Sequence, residues 1–99
     1  MDLKIYMLFD RNENRFFSPG VGVDDKDFTA FLLHQLNVAY NKISNDEEKP
    51  LFLQKVKSCE IVRLGFIDEL TGELKTDKQF LLDLKDFEVD EKENKQNEV

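Results

Sequence analysis

Leu3-Lys4-Ile5-Tyr6-Met7-Leu8-Phe9, followed at once by Asp10-Arg11-Asn12-Glu13-Asn14 and then by Arg15-Phe16-Phe17, decides the fold class. Leu3, Ile5, Met7 and Phe9 alternate with Lys4, Tyr6 and Leu8, so the stretch reads as a strand with one wholly apolar face and one partly apolar face. The polar run from Asp10 to Asn14 is rich in turn formers, and Arg15-Phe16-Phe17 resumes as a short second strand. A β-hairpin joins them. Ser18-Pro19-Gly20-Val21-Gly22 then breaks the pattern.

Working outward, Asp24 or Asp25 is placed to cap a helix, with Asp27 in its favourably polarised first turn. Phe28, Phe31, Leu32, Gln35, Leu36, Ala39, Tyr40 and Ile43 recur at helical spacing and predict an amphipathic helix over 24–44. Each large apolar side chain it buries contributes about 1.5–3 kcal/mol, which makes this helix the expected main wall of the core. Pro50 suits the first turn of a short helix through Val56, with a strand as the alternative. Glu60–Ile67 reads as a strand, Asp68–Gly72 as a turn and Glu73–Lys75 as its returning partner. Thr76-Asp77-Lys78-Gln79 has the form of a capping box, so Phe80, Leu81 and Leu84 are expected on a short C-terminal helix. The predicted fold is α+β: an antiparallel sheet of two β-hairpins, one long amphipathic helix packed across it, and a short C-terminal helix. Residues 1–89 form one domain. Residues 90–99 carry no apolar side chain before Val99 and are expected to be a disordered acidic tail.

The chain has 99 residues, 35% charged and 40% hydrophobic. Its 21 acids and 14 bases leave a net charge of −7. No apolar run approaches the ~18–20 residues of a membrane span, so no membrane association is expected. The first residues lack the pattern of a secretory leader, and the lone Cys59 excludes an intramolecular disulfide framework. A reducing cytoplasm is the expected compartment. His34 has no second ligand at metal-binding spacing, Gly20-Val21-Gly22 is too short for a nucleotide loop, and Ser18 lacks a catalytic setting. No enzyme activity, cofactor or metal is expected.

A net charge of −7 repels a polyanion at long range, but screening over ~8–10 Å leaves room for a local basic patch. Arg11, Arg15 and Arg63, with Lys55 and Lys57 near them, lie on or beside the expected sheet. Phe16 and Phe17 adjoin them. Cations beside exposed aromatics hold phosphates and stack bases. Arg11, Arg15, Phe16, Phe17 and Arg63 are therefore the candidate nucleic-acid contacts. The alternative site is acidic: Asp24, Asp25, Asp27, Asp46, Glu47 and Glu48 as a phosphate-like surface for a host defence or nucleic-acid enzyme. A third reading is self-association through an open sheet edge.

Lys4-Ile5-Tyr6, Phe9-Asp10, Phe16-Phe17-Ser18-Pro19, a helix containing Phe31, Cys59-Glu60-Ile61-Val62-Arg63-Leu64-Gly65-Phe66-Ile67-Asp68 and Thr71-Gly72 follow one another in an order that resembles the small nonstructural protein of gokushovirus-type microviruses. The likeness covers about residues 4–74. It implies a phage accessory protein in the host cytoplasm that associates with single-stranded DNA or with the replication and packaging proteins. It implies no catalytic residues.

Overall fold

The polar run after Asp10 turns the chain back on itself, because Asp10 organises the turn with its own side chain. Its Oδ1 accepts the backbone N–H groups of Asn12 (2.9 Å) and Glu13 (3.4 Å), and Asn14 takes the left-handed conformation at φ 54°. The strands on either side are β1 (Leu3–Asp10) and β2 (Arg15–Gly22), paired antiparallel with Leu8 opposite Phe17 and Phe9 opposite Phe16. β2 runs on through Pro19 and Gly20, beyond the short strand expected from Arg15-Phe16-Phe17. It is an edge strand, where a proline costs no ladder bond, and the register slips opposite Met7 to absorb the irregularity at Ser18 (φ 55°).

The computed structural model describes residues 2–89 and comprises a four-stranded antiparallel sheet and two helices, an α+β arrangement as expected. The tail expected over 90–99 lies outside the described residues. After β2 come α1 (Asp25–Lys42), α2 (Glu48–Lys57), β3 (Cys59–Ile67) and β4 (Leu74–Asp83), in the sheet order β2-β1-β3-β4. Asp24 caps α1 by accepting the Asp27 N–H at 3.0 Å. Asp68 builds the β3–β4 turn by accepting from Leu70 N (2.9 Å), and Gly72 supplies the positive φ of +73° that the turn requires.

Two expectations change. The short C-terminal helix over Thr76–Leu84 is instead the strand β4, followed only by a 3-10 turn at Leu84–Asp86. Pairing with β3, from Ile67 opposite Leu74 to Glu60 opposite Asp83, satisfies the backbone that a capping box would otherwise have served. Leu81 is an extra residue between the pairs Ile61–Leu82 and Val62–Phe80, a bulge that interrupts the two-residue alternation of the strand. Secondly, α1 is not the main wall of the core. The core cluster is Leu8, Val56, Cys59, Ile61, Leu84 and Phe87, drawn from β1, α2, β3 and the segment after β4. Phe28, Leu32, Leu33 and Leu36 of α1 flank it half-buried, and Phe31 is 58% exposed. The helices cover the partly polar face of β1: Tyr6, Leu8 and Asp10 are buried, whereas Leu3, Ile5, Met7 and Phe9 lie on the other side. That face, which no helix covers, continues by register through Phe16, the buried Val62 and the exposed Phe80.

Gly65 marks the closest approach in the sheet. A Cβ there would lie 2.1 Å from the Lys75 carbonyl oxygen of β4, a rigid backbone atom. Gly65→Ala must therefore push β4 off β3, and a loss of about 3 kcal/mol is expected in urea unfolding. An unchanged midpoint would contradict the β3–β4 register.

Candidate functional site

The sheet places the five candidate nucleic-acid contacts on two opposite faces. Arg11 leaves the end of β1 and binds acids from β3 and β4. Its Nη1 donates to Asp83 Oδ1 at 2.9 Å and Glu60 Oε2 at 3.4 Å, and its Nη2 to the Lys57 carbonyl at 2.8 Å. Arg63 lies under the start of α1, where Nη1 donates to Asp25 Oδ2 at 2.5 Å and Nη2 to Asp77 Oδ2 at 3.1 Å. Arg15 is exposed and lies 3.4 Å from Glu13. Guanidinium forks grip carboxylates and phosphates with the same geometry, so Arg11 and Arg63 meet a phosphate only by leaving a carboxylate, whereas Arg15 keeps a single contact with the exposed Glu13.

The two phenylalanines separate for the same reason that a strand has two faces. Phe16 points to the open face, its ring centroid 4.8 Å from that of Phe9, with Lys78 Nζ 5.2 Å from it on the same side. Phe17 points to the helix side, among Leu8, Leu36, Val56 and Leu84, with Lys55 Nζ 5.1 Å from its ring. Tyr6 is buried, stacked on Phe28 at 3.9 Å and donating its hydroxyl to Asp25 at 2.8 Å. Burial first, and then that hydrogen bond, push its phenol well above the usual range. None of these rings is a free stacking platform.

The acidic candidates also divide. Asp24 is the cap of α1, while Asp25 is engaged by Arg63, Tyr6 and Lys4. Asp46, Glu47 and Glu48 lie beyond the far end of the 18-residue α1, at the start of α2, and α1 alone spans ~27 Å at 1.5 Å per residue. They do not form one surface with Asp24, Asp25 and Asp27.

Two features escape the sequence. One is Asp10, 1% exposed at the end of β1. It accepts from Lys55 Nζ and from the turn amides, and Ser58 Oγ lies 3.1 Å away. The Lys55 hydrogen bond is the largest cause that holds its carboxyl down at about 2, and the same bond raises the Lys55 ammonium. This joins α2 to the first hairpin. The adjoining Cys59 thiol, also buried, is pushed up by desolvation and points at the Lys55 carbonyl (3.2 Å), a structural rather than a nucleophilic setting. The other feature is β4, whose outer edge pairs with no strand among the described residues. It presents Phe80 at 57% and Leu74 at 60% exposure, and α1 runs beside it across a shallow groove lined by Thr29, Ala30, Leu33 and Leu81. An alternation disguised by the Leu81 bulge is the only sequence signal for it.

Comparison of the chain with protein-family models, with curated proteins and with solved structures finds no match.

Asp10 makes stability acid-sensitive with a defined sign. Its folded pKa lies below the unfolded value, so its contribution is present above about 3.8 and lost as pH falls through about 2. Thermal melts between these values should show a falling Tm, with a shallower slope in Asp10→Asn. An equal slope in both proteins would rule out this pairing as the acid-labile element.

Proposed function

We propose that the protein is a non-enzymatic accessory protein that works by docking onto another protein, within the replication and packaging complex of a small single-stranded DNA phage. One observation carries the choice of a protein over DNA: Arg11 and Arg63, two of the three arginines in the chain, are held by carboxylates of the chain itself, and only Arg15 is left exposed. Among the described residues no cation comes within ion-pair reach of Asp27, Asp46, Glu47, Glu48, Asp86 or Glu88. The outward field is thus anionic. It favours a partner with a basic surface and repels polyphosphate. The phage setting comes from the resemblance over residues 4–74.

The non-enzymatic reading is supported by what the reactive groups already do. Asp10 holds α2 to the hairpin, Cys59 is sealed in the core, and His34 is exposed on α1. The nucleic-acid mimic is the weaker protein-directed reading, since its acids divide between the two ends of α1 and Asp25 is neutralised. Direct single-strand binding has one observation in its favour: Phe80 and Lys78 share the open face of the sheet.

Nuclease treatment separates protein docking from DNA binding. A tagged copy recovered from cells producing a microvirus of the resembled type is expected to carry the same phage proteins before and after nuclease digestion. Loss of those proteins on digestion, together with micromolar retention of single-stranded DNA on filters at ~50 mM salt, would overturn the proposal in favour of direct DNA binding. In that event Phe80→Ala and Lys78→Ala should weaken retention.

A further inference from the structure

We propose that the groove between α1 and the segment after β4 seats a basic segment of a protein partner, with an arginine or lysine at its lip and a neighbouring aliphatic side chain on its floor. The inference rests on the protein-docking reading above and gives that docking a place. The groove has a volume of about 510 Å³, inside the range of ~300–1,000 Å³ typical of ligand clefts. Its floor is apolar. Leu33 of α1 and Leu82 of β4 enter it half-buried, and Leu84 and Phe87 form its base at 1% and 9% exposure. His34 and Asn37 add polar groups on the α1 wall.

The lip decides the occupant. Asp86 and Glu88 are exposed there. Asp83, the third carboxylate of the groove, is held by Arg11 at 2.9 Å. Among the described residues no lysine or arginine lines the groove. Two unneutralised carboxylates above an apolar floor match a cation on an aliphatic stem, because arginine and lysine lay their methylenes on apolar surface and keep the charged head at the rim. A bare metal ion would leave the floor uncovered, and among the described residues His34, Asp86 and Glu88 do not gather as a metal-ligand set. The chain's own continuation does not suit the groove either, since it opens with Asp90-Glu91 and has no apolar side chain before Val99. A second copy brings another net charge of −7 and is repelled. A basic partner is drawn in by the same field.

The probe is a synthetic Leu-Arg-Leu-Arg peptide, titrated into the full chain at ~100 mM salt and followed by NMR of methyl and aromatic groups. Shifts are expected at Leu33, Leu82, Leu84 and Phe87, with a dissociation constant of about 0.1–1 mM for so short a segment. Asp86→Asn with Glu88→Gln should raise that constant about tenfold. Asp46→Asn with Glu47→Gln removes the same charge beyond the other end of α1 and should change it by less than about twofold. All four positions are exposed, and the unshifted core methyls of each variant check that it is folded. Peptides with glutamate for arginine, or serine for leucine, should bind at least about tenfold more weakly. No shifts at ~5 mM peptide, shifts dispersed away from the groove, equal weakening by the two charge pairs, or equal binding of either altered peptide would overturn the proposal. The groove and the docking reading fail separately. Phage proteins recovered equally by the wild type and by the Asp86→Asn, Glu88→Gln variant would overturn the groove alone, whereas a wild type that recovers none would overturn the docking reading beneath it.

Discussion

A carboxylate that is almost wholly out of water must be paired, and the Asp10 carboxylate meets that demand through Lys55 on α2, supported by the turn amides and Ser58. That requirement fixes much else. It sets α2 against the end of the first hairpin, and so carries Val56 and Cys59 into the core beside Leu8 and Ile61. The same pairing recurs at the other end of the sheet, where Arg63 ties the start of α1 to β4 through Asp25 and Asp77. Arg11 closes β1 onto β3 and β4 through Glu60 and Asp83. In a chain with a small apolar core, these contacts position the elements relative to one another. They also decide what is left for a partner.

The strands of the first hairpin and β3 were legible because alternation and turn chemistry are local. What alternation cannot state is which face the helices cover. Leu3, Ile5, Met7 and Phe9 form the more apolar row, yet Tyr6, Leu8 and Asp10 are the buried ones. The reason lies in α2, which brings a cation to Asp10 and makes the polar row coverable. β4 is hidden from a local reading for a related reason. Its Thr76–Gln79 segment satisfies a helix-start pattern locally, while its strand pairing depends on β3 and on a one-residue bulge at Leu81, neither visible in a short window. In α1 the expected stripe was too wide: Phe31 and Ala39 face outward, and Leu33 and Asn37 face inward in their place.

The candidate site was less legible than the fold. Composition reports how many cations there are, but not which ones are occupied. The pairs that occupy them span 38 residues for Arg63–Asp25, 45 for Lys55–Asp10 and 72 for Arg11–Asp83. No motif links residues at such separations. The adjacency of Phe16 and Phe17, which suggested a stacking pair, instead sends them to opposite faces, because successive residues of a strand alternate. What remains accessible among the described residues is a set of exposed carboxylates and the outer edge of β4.

On the proposed reading, internal capture of Arg11 and Arg63 turns the protein away from phosphate, and nitrogen-detected NMR of the guanidinium groups tests it most directly. Slowed rotation and slowed proton exchange are expected for Arg11 and Arg63 relative to Arg15. For Arg63, shielded beneath α1, the slowing should persist at ~1 M salt, where exposed charges are screened beyond ~3 Å. Three arginines with the same fast, averaged signals would contradict it and return them to the pool available for phosphate.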